Sequence, residues 1–127
     1  MMDEYERTIA KAESAWIGYE DHGILTVHVG MQLGKGSHQG IPGYALDQWN
    51  EDEQRRVGGP QSIEFIAALM AAFGVDRFDK IVGRTVFVLH ALGESGYGGG
   101  LIKGIEPLPT EKGERVIFAD VWEKVPA

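Results

Sequence analysis

The stretch "ILTVHVGMQL", residues 24–33, alternates without a fault: Leu25, Val27, Val29, Met31 and Leu33 point one way, and Thr26, His28 and Gln32 the other. Side chains of an extended chain alternate between two faces, so this run predicts a strand with one face in a core. Such a face needs a second layer of structure over it. The candidate is "GPQSIEFIAALMAAFG", residues 59–74. Pro60 stands at the entry of that predicted helix and Gln61 or Ser62 starts it. Ile63, Ile66, Leu69, Met70 and Phe73 form the expected buried stripe, and Gly74 is placed to end the helix in a left-handed cap.

Around these two elements the chain reads as further strands and turns. A strand is expected from about Thr8 to Tyr19, with Ala10, Ala12 and Trp16 on one face, although Tyr5, Ile9 and Ala12 also fall at near-helical spacing. "DHG", residues 21–23, is then a hairpin turn in which Gly23 takes a positive φ. A loop, "GKGSHQGIPGY", leads into a short strand around "GYALD", and "QWNEDEQRRVGG" reads as an exposed loop. "VDRFDKIVG" supplies one helical turn, and "RTVFVLHAL" a strand buried on both faces. The glycine-rich "GESGYGGG" turns back through "LIKGIEPL", and a last strand is expected at "RVIFADVW". No repeat, heptad or linker interrupts residues 1–127. The expected fold is a single α+β domain, an antiparallel sheet of five to six strands with one main helix packed on it.

Composition excludes several classes. Nineteen acidic residues against twelve lysines and arginines give a formal charge of −7, which disfavours non-specific attraction to nucleic acid or to an anionic membrane. With no cysteine, disulfides, thiolate metal sites and cysteine nucleophiles are ruled out. The acidic N-terminal stretch lacks the apolar segment of a secretory signal, and the longest apolar run is far short of a membrane span, so cytoplasm is the expected location. Eighteen glycines, concentrated in residues 30–43 and 93–104, point to turns or to close approach of backbone to a ligand.

The candidate chemistry is dispersed. "GYEDHG", residues 18–23, places Asp21 and His22 together, as a polar turn, a ligand contact or half of an acid/base dyad. His22, His28 and His38 fall close in sequence, but their spacing matches no compact metal-ligand pattern, and neither a metal nor a cofactor is expected. Ser37 and Ser95 lack the strand–elbow–helix setting of a hydrolase nucleophile. "GYGGGLIKG" is either a flexible hairpin or a nest of backbone N–H groups with Lys103 adding charge. Arg84 and Arg115 open strands, where a guanidinium is either solvated or available to phosphate. Trp16, Tyr19, Tyr44, Trp49 and Tyr97 lie at or near loops, suited to stacking or to capping the core.

"GYEDHGILT" followed by "QGIPGYALD", then the helix "IEFIAALMAAFGV", then "F-K-G" ahead of an Arg-bearing strand, resembles a family of small phage-encoded proteins over roughly residues 15–90. These are the phage anti-defence sponges typified by Thoeris anti-defence protein 1. Ile41-Pro42 departs from the family pattern, and the C-terminal third matches least. The resemblance implies a non-enzymatic homo-oligomer in the bacterial host cytoplasm. It would sequester a cyclic nucleotide signal, of cyclic ADP-ribose type or a cyclic oligonucleotide, without contacting nucleic acid or membrane. Arg84, with Arg115 or Lys103, would pair phosphate. Tyr19 and Tyr44 would line the pocket, and Asp21, His22, Asp47 and His38 would contribute polar contacts. Two other classes compete: an acidic inhibitor covering a surface of a defence complex, and an enzyme centred on His22 and Asp21.

Overall fold

In the computed structural model, residues 4–20, 23–34, 36–42, 44–93 and 100–122 are described. In chain order the elements are β1 (Tyr5–Glu20), β2 (Ile24–Gln32), β3 (His38–Gly40), β4 (Tyr44–Ala45), β5 (Asp47–Asn50), β6 (Arg55–Gly58) and α1 (Ser62–Phe73). A 3-10 turn (Phe78–Ile81), β7 (Thr85–Ala91), β8 (Gly104–Glu106), β9 (Val116–Ile117) and α2 (Phe118–Trp122) complete them. The fold is α+β. Six strands run in the order β3-β2-β1-β7-β8-β9, β4 joins β3 on the outer edge of β2, and every pairing is antiparallel.

β1 is the spine of this sheet because it serves two partners in succession. Tyr5–Lys11 pair with β7, and the strand then runs on beside β2 to Glu20. Between Ala12 and Ser14 the register shifts by one residue. A bulge of this kind adds a residue to one strand only, so the side chains beyond it change face. Ala10 and Ala12 are buried, and Ala12 sits opposite buried Met31, whereas Trp16 sits opposite His28 on the other face. The expectation of Ala10, Ala12 and Trp16 on one face is therefore corrected, and the extra residue, Glu13, is the reason.

The core lies between the sheet and α1. Val27, Val29, Met31, Val86, Val88 and Ile105 meet Phe65, Leu69, Ala72 and Phe73 there. The helix is rotated from the expected stripe: Ile63 is 78% exposed and Phe65 is fully buried. Phe65 sets this orientation by meeting Phe118 edge-on at 5.5 Å and Trp122 at 5.0 Å between ring centroids. The same contacts correct the expected last strand. β9 stops at Ile117 because Phe118 and Trp122, four residues apart and about 13 Å from each other in an extended strand, can both reach the Phe65 ring only if the chain coils into α2. β7 is buried on both faces as expected, since the consecutive residues Val88, Leu89 and His90 are all buried.

"QWNEDEQRRVGG" is not a loop but the hairpin β5–β6, closed by a four-residue turn. Its strands are polar, so apolar alternation could not reveal them. The turn is fixed locally, with Asn50 Oδ1 accepting from the Glu53 N–H at 2.9 Å and Gln54 at φ 54°.

The sheet also curls. β2 and β1 separate β3 from β7, and at about 4.8 Å per strand a flat sheet would hold them about 14 Å apart. Yet the Gln39 side chain of β3 spans the gap, its Oε1 lying 2.8 Å from His90 Nε2 and its Nε2 donating to the Gly100 carbonyl at 2.9 Å.

Candidate functional site

The sequence-predicted residues fall into separate neighbourhoods. At the tip of the β1–β2 hairpin, Tyr19 is 74% exposed and pairs with Leu25. Asp21 and His22 lie outside the described residues. The "QGIPGYALD" segment does fold beside this hairpin: Tyr44 and Ala45 pair with Val27 and Thr26, and Asp47 Oδ1 accepts from the Leu25 N–H at 3.2 Å. Asp47 is committed to structure, however. Arg56 Nε donates to its carboxylate at 3.0 Å, and that hydrogen bond holds its pKa below the usual carboxylate value. His38 lies at the other end of the β2 edge, its Nδ1 2.7 Å from Glu13 Oε1. His28 stacks on Trp16, with ring centroids 5.1 Å apart, and its Nε2 lies 3.3 Å from Ser14 Oγ.

The three predicted phosphate partners do not converge. Arg115 stands 3.4 Å from Glu106 and over the Tyr5 ring, facing a small cleft that also exposes Glu114 and Asp120. Lys103 borders a different cleft of about 160 Å³ with Tyr5, Pro42 and Leu101. Arg84 alone reaches a large one.

That cleft lies at the C-terminal end of α1, where the last carbonyls of a helix have no intrahelical partner. Gly74, at φ 67°, turns the chain out of the helix, its own N–H bonding Ala71 O and the Val75 N–H bonding Met70 O. Arg84 comes back from the start of β7 to cap the remaining carbonyls, with Nε 3.3 Å from Phe73 O and Nη2 3.5 Å from Gly74 O. The 3-10 turn brings up Lys80, and the segment before β9 brings Lys112. Together with Met70, Ala71, Val75, Asp76 and Val82 these residues line a wide-open cleft of about 800 Å³. A second cleft of about 220 Å³ lies on the other side of Arg84 and Lys112, bordered by Gly83, Thr85, Pro107, Leu108 and Glu111.

Three cations and one carboxylate thus line the larger cleft of a chain whose net charge is −7. Lys80 Nζ lies 2.8 Å from Asp76 Oδ1, one helical turn apart in sequence. Hydrogen bonding within this pair lowers the Asp76 pKa and raises that of Lys80, so both are charged at neutral pH. An exposed pair of this kind adds little stability. Lys112 has no ion-pair partner among the described residues, which leaves its ammonium available to an incoming anion. The lining holds no histidine, serine or threonine to act as base or nucleophile. Among the described residues, no group of three or more histidine, aspartate or glutamate side chains is arranged to hold a metal ion. No helix among them is long and apolar enough to cross a membrane.

Arg84 was legible in the sequence as an arginine opening a strand. Lys80 lies in the "F-K-G" segment, but nothing there ties it to Lys112, which carries no motif and stands thirty-two residues away; only the fold makes them neighbours. No protein-family model, curated protein or solved structure matches the chain.

Proposed function

We propose that this chain is a non-catalytic binding protein that takes a cyclic nucleotide signal out of solution in the cleft at the end of α1. The observation that carries this reading is the convergence of Lys80, Arg84 and Lys112 on a space of about 800 Å³. That volume lies within the ~300–1,000 Å³ of small-molecule sites. Lys112, with no ion pair among the described residues, suits phosphate as a mobile point charge; Arg84 adds the guanidinium N–H groups that the Phe73 and Gly74 carbonyls leave unused, and Lys80 shares its charge with Asp76. Met70, Val75 and Val82 give the same cleft an apolar wall for the uncharged part of a ligand. In an acidic protein, a local cluster of cations also selects for small anions over polyanions, which the surrounding carboxylates repel.

The resemblance to phage anti-defence sponges names the class of anion: a cyclic ADP-ribose type signal or a cyclic oligonucleotide, bound by a homo-oligomer in a bacterial host. Isothermal titration with cyclic ADP-ribose, cyclic dinucleotides and linear ADP-ribose tests it, followed by heat release and mass spectrometry. A cyclic ligand recovered intact, with binding lost in Lys112→Glu, supports the proposal. Absence of binding sinks it, and recovery of a cleaved ligand replaces a sponge with an enzyme. Co-purification with a host nuclease, without small-molecule binding, favours an acidic protein inhibitor instead.

A further inference from the structure

The outer edge of β1 is open beyond the bulge. β7 pairs only as far as Lys11, and at Ala12 the backbone is bonded to Gly83 and Arg84. From Glu13 to Glu20 no strand among the described residues pairs with that edge. The direction of its backbone groups follows from β2. Leu25 and Val29 turn their carbonyls away from β1, to Leu46 and Ile41. Backbone direction alternates along a strand, so Ile24, Thr26, His28 and Gly30 face β1, and their partners Glu20, Gly18, Trp16 and Ser14 face β2. The N–H and C=O groups of Ala15, Ile17 and Tyr19 therefore point outward.

An open edge is a template for another strand, and proteins usually blunt one with lysine, proline or a cover. Here the bulge and Glu13 stand at one end, where the chain leaves the 3-10 turn that packs against β1, and Glu20 at the other; between them the edge carries no charge and no proline, and Trp16, Ile17 and Tyr19 are 38%, 41% and 74% exposed. We infer that this edge is a dimer interface on which β1 of a second copy pairs antiparallel, with Ile17 on the two-fold axis. Among symmetric registers, the one centred on Ile17 satisfies all three outward residues, pairing Ile17 with itself and Ala15 with Tyr19. It also sets Trp16 opposite the partner's Gly18, where no side chain stands in the way of the indole. Ser14 then faces the partner's Glu20. Centring on Trp16 instead stacks two indoles head-on, and centring on Gly18 sets Trp16 against Glu20. The interface gives the homo-oligomer of the proposed function its contact surface. It rests on edge geometry alone, so a failure of ligand binding leaves it standing.

The test uses the full chain, which has no cysteine of its own. Sedimentation velocity of the wild type is expected to give a dimer or a multiple of it, and Ile17→Lys, which places two ammonium groups at the axis, to reduce that mass at least twofold with an unchanged far-ultraviolet spectrum. Self-paired residues have Cα atoms about 5.5 Å apart, within reach of a disulfide. Mild oxidation should therefore cross-link Ile17→Cys, should leave Tyr19→Cys alone uncross-linked, and should join Tyr19→Cys to Ala15→Cys when the two are mixed. This cross-linking decides the matter even where Ile17→Lys fails to fold. A monomeric wild type, an assembly that Ile17→Lys leaves intact, or cross-linking of Tyr19→Cys equal to that of Ile17→Cys overturns the inference.

Discussion

Arg56 holds Asp47 twice, donating from Nε to the carboxylate at 3.0 Å and from Nη2 to the backbone carbonyl of the same residue at 3.0 Å. With the Leu25 N–H on the same carboxylate, the pair ties the polar β5–β6 hairpin to the end of β2. Asp47→Asn should cost about 1.5–3 kcal/mol, the range for hydrogen bonds to a charged group. The sign of the pH dependence follows from its depressed pKa. A carboxylate held lower in the folded state contributes its stability above the unfolded value and loses it as pH falls through the folded one. Thermal melts of wild type and Asp47→Asn should therefore differ at neutral pH and draw together below about pH 4.

Gly74 should tolerate no side chain. Its φ of 67° suits glycine, and a Cβ there would stand 2.5 Å from the Lys112 carbonyl. Gly74→Ala combines a left-handed conformation costing about 1–2 kcal/mol with that backbone clash. Urea unfolding should show a loss of at least that size. Because the clash pushes on the segment carrying Lys112, ligand affinity should weaken as well, whereas Gly23→Ala, which meets nothing within 4 Å, should leave affinity unchanged.

Gln39 bridges the curled sheet to buried His90 and to the Gly100 carbonyl. Gln39→Leu keeps the size of the side chain and removes both bonds, so a loss of about 1–3 kcal/mol is expected. Hydrogen exchange should locate the loosening in β3 and the end of β7 rather than in α1.

Lys112 and Arg115 should separate cleanly by binding. Charge reversal at Lys112 should reduce affinity for the cyclic ligand by roughly tenfold or more, about 1.4 kcal/mol per tenfold, with the melting temperature nearly unchanged. Arg115→Ala should leave affinity intact and act only on stability, through Glu106 and Tyr5. Titration calorimetry paired with thermal melts distinguishes the two.

The parts of the fold that follow from apolar periodicity were legible in the sequence, and the parts set by single polar contacts were not. β2, the helix with its Gly74 cap and the doubly buried β7 all carry their pattern locally. The β5–β6 hairpin carries none, because Arg56 and Asn50 hold it in place of apolar burial. α2 resembled a strand until Phe65 was placed against Phe118 and Trp122. In the site, Arg84 could be suspected from its position ahead of a strand. Its company could not, since Lys80 and Lys112 reach it through a 3-10 turn and a connecting segment whose paths depend on tertiary packing.

The added residue at Glu13 separates β1 into two reading frames. Upstream of it, the even-numbered Ala10 and Ala12 are buried in the core; downstream, the odd-numbered Ala15 and Ile17 share the face of buried Val29 and Val27. Removing Glu13 would restore a single frame and force one half of the strand to choose between burying Trp16 and exposing Ala12. Such a one-residue deletion should be more damaging than most substitutions at the same position. In a family alignment, that place should therefore vary in identity while keeping its length.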